Sequence, residues 1–183
     1  MTYYNSKDMA DSFRTVRKNT LTIANDIPEN KYDFRAAPDC RSIAQTLTHL
    51  ALSPDWQLHV HTNKFDDMTK VNFMELVQKF SAEEATPRTK AEIIVLLTDK
   101  GEEFAAYLET LPESFLAEQV AMPPGADKPT KSRFEMLLSP KEHEMHHRGQ
   151  LMVLQRMIGI TPHLTRLMQE RMTQMQAGAA QGR

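Results

Sequence analysis

Ser139-Pro140-Lys141-Glu142-His143-Glu144-Met145-His146-His147-Arg148-Gly149-Gln150-Leu151 places three of the chain's seven histidines within five positions, directly behind a helix-start signal. Ser139 can N-cap, Pro140 suits a first helical position where its missing N–H is no loss, and Glu142 closes an S-x-x-E capping box. Leu151, Val153, Leu154 and Met157 carry an apolar pattern onward to Gly159, and Ile160-Thr161-Pro162 stops it, which predicts a helix of about five turns. On that helix His143 and His147 share a face with their Cβ atoms roughly 5–6 Å apart. Two imidazoles so spaced can converge on one divalent ion, but the pair alone is a weak signal that ordinary exposed or helix-packed histidines explain more simply. His146 lies about 60° off their line and is a poorer partner.

The same residues match H-E-x-x-H, the zinc-peptidase pattern in which Glu144 would be the general base. That chemistry needs a third ligand downstream. The continuation H-x-x-G-x-x-H is absent, and Arg166 stands near where a ligating glutamate would fall, so the peptidase reading is disfavoured.

The 183 residues fit one domain, expected over 1–176 with a frayed tail at 177–183. A formal net charge of −2, with 25% charged residues, offers no basic field for nucleic acid. No apolar run approaches the roughly 18 residues of a membrane span, and Met1-Thr2-Tyr3-Tyr4-Asn5 has neither a basic nor an apolar leader region, so a soluble cytoplasmic protein is expected. Cys40 is the single cysteine, which suits a reducing compartment and reads as incidental. Scarce glycine, at six residues, and frequent methionine, at twelve, favour an all-α chain with an adaptable core.

A first helix is expected over residues 6 to 27, with Ser6 as cap and Met9, Phe13, Val16, Thr20, Ile23 and Ile27 inward. Its Asp11, Arg14, Arg17 and Lys18 read as a solvated face. Residues 28 to 41 lack helical periodicity and form a long connection, which Tyr32 and Phe34 can pin to the core. Ser42 and Gln45 box a second helix carrying Ile43, Leu47, Leu50 and, near the edge of the stripe, His49. Ser53-Pro54 bends or restarts it, and His59 and His61 read as surface residues. Residues 62 to 88 form a partly helical excursion, with a helix near 71 to 80 and solvated turns at Asp66-Asp67 and Glu83-Glu84. Thr89 and Glu92 box a further long helix to Leu111, in which Gly101 could permit a close contact. The segment from 112 to 139 reads as loop with a turn of helix, and a last amphipathic helix follows Thr161-Pro162.

Long capped helices with apolar stripes form a bundle in which side chains from different helices can meet. The chain then resembles the DinB family, the DinB/YfiT-like metalloenzymes. The likeness rests on Ile27-Pro28-Glu29-Asn30-Lys31-Tyr32-Asp33-Phe34-Arg35-Ala36-Ala37-Pro38, on Arg41-Ser42-Ile43-Ala44-Gln45-Thr46-Leu47-Thr48-His49-Leu50, and above all on His143 through Leu151 with Gly159-Ile160-Thr161-Pro162 closing it. It covers about residues 6 to 165. What the resemblance implies is a four-helix bundle with an unusual crossover connection and short extra helices, often a homodimer. It also implies a divalent ion, Ni²⁺ or Zn²⁺, bound by His49, His143 and His147.

Three neutral imidazoles leave a coordination position open, as in catalytic sites, so an ion could acidify a bound water or activate a thiolate. The resemblance therefore points to a thiol S-transferase or a hydrolase acting on a small molecule, with a low-molecular-weight thiol as one candidate partner. The alternative is a non-catalytic metal-binding stress or ligand-binding protein. Glu144 suits an interhelix hydrogen bond, Arg148 and Gln150 suit ring orientation or packing, Gly149 suits close helix approach, and Asp55 and Trp56 could border the pocket mouth.

Overall fold

Asn5, not Ser6, opens the first helix in a computed structural model of the chain, which describes residues 4–181 and, of these, the side chains as far as 178. Its side chain accepts the Asp8 amide while the Asp8 carboxylate accepts the Asn5 amide, a reciprocal box that satisfies two otherwise orphaned donors. The resulting α1 spans Ser6–Asp26 and ends before Pro28. Residues 28–41 cross the end of the bundle. They are held there by the buried Tyr32, whose phenol donates to the Ala24 carbonyl at 2.8 Å, and by the amides of Ile43 and Ala44, which bond to the carbonyls of Phe34 and Tyr32.

The Ser42/Gln45 box opens α2, Ile43–Leu52, and Pro54 restarts the chain as α3, Pro54–Thr62. α4 is Phe73–Ala85 and α5 is Lys90–Glu109, the latter opened by the Thr89/Glu92 box. A short α6, Glu113–Ala117, leads into an antiparallel hairpin of β1, Gln119–Ala121, and β2, Thr130–Ser132, whose tip turns through Gly125 at φ +89°. α7 is Arg133–Met157 and α8 is His163–Gln181.

The bundle consists of α1, α2, α5 and α7. Both α1 and α2 pack against α5 and against α7, so the first two helices occupy opposite corners. That diagonal step is why their connection must be long. Ile23, Ile43, Leu47, Leu50, Ile93, Leu97 and Leu151 fill one end of the core, while Phe13 and Phe104, edge to face at 4.9 Å, anchor the other.

Several expectations change. α7 starts six residues before Ser139, because Ser132 caps the amide of Glu135 and the apolar Met136 and Leu137 that follow are buried. Two S-x-x-E boxes compete there, and core burial selects the upstream one. Pro140 therefore sits inside the helix. Its lost hydrogen bond is a local cost of up to about 3 kcal/mol that packing must offset. The region read as loop between 112 and 139 contains the hairpin, and α4 runs beyond 80, carrying Glu83 and Glu84 into its last turns.

Arg17 is also not solvated: it is 4% exposed and its partner Glu144 is 0% exposed. Gly101 makes room for it, since a Cβ there would stand 2.8 Å from the Arg17 Cγ. Gly149, by contrast, faces open space and serves no close approach. His61 is buried: its ring is held between Gln57 and Arg133, partners that only the fold brings to it.

α8 is fastened through its first turn, by His163 to Asn19, Arg166 to Asp26 and Thr165 to Arg156. Beyond that turn Leu167, Met168, Met172 and Met175 are exposed. The last two residues of the expected frayed tail, 182 and 183, lie outside the described residues. Among the described residues no helix is long and apolar enough to cross a membrane.

Candidate metal centre

His49 stands near the C-terminal end of α2, and His143 and His147 stand one turn apart near the middle of α7, so the site forms where these two helices pack. The Nε2 atom of His143 lies 3.1 Å from the Nε2 of His49 and 3.1 Å from that of His147. One ligand atom from each of the three lies within 4.8 Å of the others. The rings meet edge to face with centroids 4.6–5.0 Å apart.

Two of the rings are oriented by hydrogen bonds at their far nitrogens. His49 Nδ1 donates to the Glu84 carboxylate, whose second oxygen faces Arg41, and His147 Nδ1 donates to Gln150 Oε1 at 2.7 Å. Gln150 is fixed in turn because its NH₂ lies 3.1 Å from His146 Nε2. With both Nδ1 protons so placed, His49 and His147 present bare Nε2 lone pairs to His143 Nε2. A neutral His143 has at most one proton there and can satisfy only one of them.

A cation would complete such a donor set. In a tetrahedral zinc site two imidazole nitrogens at ~2.05 Å from the ion stand about 3.3 Å apart, close to the separations found. The residues fit a divalent ion.

The electrostatics agree. Burial, then the charges of His147 and His49, lowers the pKa of His143 to about 4, and His147 is lowered chiefly by burial against the opposing bond from Gln150. Both are thus neutral near pH 7, the state that ligates. Burial works to raise the Glu84 carboxyl, but the His49 bond and Arg41 together hold it below its usual range, so it stays an acceptor for the ring.

Glu144 cannot serve as a general base, because both its oxygens are engaged by the Arg17 guanidinium at 2.9–3.0 Å. This removes the H-E-x-x-H mechanism. A cavity of about 330 Å³ opens beside the cluster, walled by His49, His143, Glu84, Trp56, Phe80 and Leu52 among others. Trp56 borders the pocket as expected, whereas Asp55 does not line it and is paired with Lys100 at 3.1 Å. His146 is exposed, and so is Cys40.

Glu84, expected in a solvated turn, instead lies in α4 and faces the histidines. One signal was present: Leu76, Phe80 and Glu84 recur every fourth residue, which puts Glu84 on the inward face of α4.

Comparison with known proteins adds three results. The family model described as "DinB family" matches residues 1–179. No curated protein matches. Among solved structures, a DinB-like protein of Bacillus subtilis, YjoA, is 22% identical, with a TM-score of 0.61 over 84% of this chain and 93% of that one. YfiT of Bacillus subtilis, described as a probable metal-dependent hydrolase with an unusual four-helix bundle topology, is 13% identical, with a TM-score of 0.66 over 88% and 91%. A DinB-like protein of Bacillus cereus is 17% identical, with a TM-score of 0.66 over 88% and 97%.

Proposed function

Since the chain belongs to the DinB family, whose model matches residues 1–179, we propose that it is a metal-dependent enzyme acting on a small molecule, with one divalent ion, Zn²⁺ or Ni²⁺, held by His49, His143 and His147. The observation that carries this reading is the convergence of three Nε2 atoms, two of them held bare by Glu84 and Gln150, at the wall of a cavity. An ion held there would supply a Lewis-acid centre able to polarise a carbonyl and to lower the pKa of a water or a thiol.

The chain's own residues do the rest. Glu84 and Gln150 fix ring tautomer and direction, and the His49 bond together with Arg41 keeps Glu84 charged. Leu52, Trp56 and Phe80 give the approach an apolar wall. The description of YfiT supports hydrolysis, and a low-molecular-weight thiol as second substrate would make the same centre a transferase.

Purified protein is expected to carry about one equivalent of ion. In a panel of ester, amide and thiol-transfer assays it should show an activity that chelation abolishes and Zn²⁺ or Ni²⁺ restores, with helicity retained throughout. Activity indifferent to chelation, or none on the reconstituted protein across the panel, would reject the enzyme and leave a metal-binding bundle.

A homodimer is the partner this reading includes. The exposed Leu167, Met168, Met172 and Met175 of α8, with Val153 and Met157 of α7, are large apolar side chains that a second copy would cover. Light scattering should return twice 21.0 kDa; a monomer at micromolar concentration would remove the dimer.

A further inference from the structure

A second cavity of about 720 Å³ lies next to the one beside the histidines, and the two share Trp56, Gln57 and Ser139 as a common wall. Its body is apolar and methionine-rich, formed by Met68, Val71, Phe73, Met122, Met136 and Leu138, while Lys131, Glu135 and Glu142 stand on its polar side. Methionine lining adapts to apolar groups of varied shape.

The shared wall has a defined polarity. Arg133 Nε donates to Glu118 at 2.8 Å and its Nη1 to His61 Nδ1 at 3.1 Å. A guanidinium only donates, so His61 must accept at Nδ1 and carry its proton on Nε2. That proton goes to Gln57 Oε1 at 3.0 Å, which turns the Gln57 NH₂ towards Ser139, where it donates to Oγ at 3.1 Å. Burial together with the Arg133 charge lowers the His61 pKa to about 4, so the direction of the chain holds at neutral pH. Ser139 Oγ is thereby used as an acceptor, and its own O–H has no protein acceptor among the described residues. A relay beginning at the exposed Glu118 thus delivers one free hydroxyl donor between the two cavities.

We propose that the ligand is a carboxylic amide or ester that spans both cavities, its carbonyl oxygen accepting from Ser139, its apolar acyl arm in the methionine-lined cavity and its opposite end at the three histidines. The role of the histidine end rests on the enzyme reading above; the acyl arm and the Ser139 contact do not.

Binding of N-methylalkanamides from butanoyl to decanoyl, measured by calorimetry on metal-free and metal-loaded protein, separates the two. Wild-type affinity should tighten up to about fourfold for each methylene buried, at ~0.8 kcal/mol each. Ser139→Ala should weaken every member by the same factor, about fivefold, as the loss of one hydrogen bond requires. Met136→Trp, and Met122→Trp on the hairpin should the first not fold, fill the apolar cavity and should flatten the dependence on chain length, with circular dichroism as the check on folding. A flat series in the wild type, an undiminished slope in the folded tryptophan variants, or a Ser139→Ala effect confined to long chains overturns the proposal. A steep series on metal-free protein that lacks all hydrolytic and transferase activity upholds it while the enzyme reading fails.

Discussion

Glu144→Leu should lower the unfolding free energy by about 3–5 kcal/mol, because it leaves the Arg17 guanidinium buried without its counter-charge. Arg17 lies at the centre of the bundle and touches all four helices. From α1 it binds both oxygens of Glu144 on α7, while Nη1 donates to the Leu97 carbonyl of α5 at 2.6 Å and Nη2 to the Leu50 carbonyl of α2 at 2.9 Å. Its side chain is 5% exposed and that of Glu144 0%. Neither charge can recover solvation without opening the fold, so the melting temperature should fall by roughly 10 °C for a chain of this size. The double variant Arg17→Met/Glu144→Leu removes both charges and should regain most of the loss. Urea midpoints measure all three proteins. A single variant within 1 kcal/mol of wild type, or a double variant worse than either single, would contradict this account of the pair.

His143→Ala should take the bound ion from about one equivalent to almost none while the bundle stays folded. His143 Nε2 is the atom that both other rings approach, so its removal leaves only two imidazole donors, on different helices. A ligand present at a hundred times its dissociation constant stabilises the folded state by about 2.7 kcal/mol. Added Zn²⁺ should therefore raise the wild-type melting temperature by several degrees and leave that of the variant where it was. The metal-free variant should be no less stable than metal-free wild type by more than the loss of one half-buried ring, since His143 held neutral near other imidazoles contributes little charge interaction. Undiminished metal content in the variant would show that the ion, if any, sits elsewhere.

What could be read from the chain beforehand divides along physical lines. Local signals were legible: the boxes at Ser42/Gln45 and Thr89/Glu92, the stop at Pro28, the restart at Pro54, and the shared face of His143 and His147 depend on neighbours within four residues. The grouping of His49 with the α7 pair came from the resemblance, because no periodicity links residues 94 positions apart. What stayed hidden was polar burial. Arg17, His61 and Glu84 look like surface residues in sequence, yet Arg17 and His61 are buried and Glu84 is half-buried, each against a partner from a distant segment, Glu144, Arg133 or His49. The displaced start of α7 has a different cause: two competent caps lie seven residues apart, and only the burial of Met136 and Leu137 chooses between them.

The diagonal placement of α1 and α2 bears on biosynthesis. The second corner of the bundle is laid down early, but the walls that support it, α5 and above all α7, leave the ribosome later, and two of the three imidazoles arrive with the last of them. Any truncated polypeptide ending before residue 143 carries His49 without either of its two α7 partners. On the proposed metal site, tight retention of an ion would therefore mark completed synthesis and the closure of long chain loops, an entropically slow event.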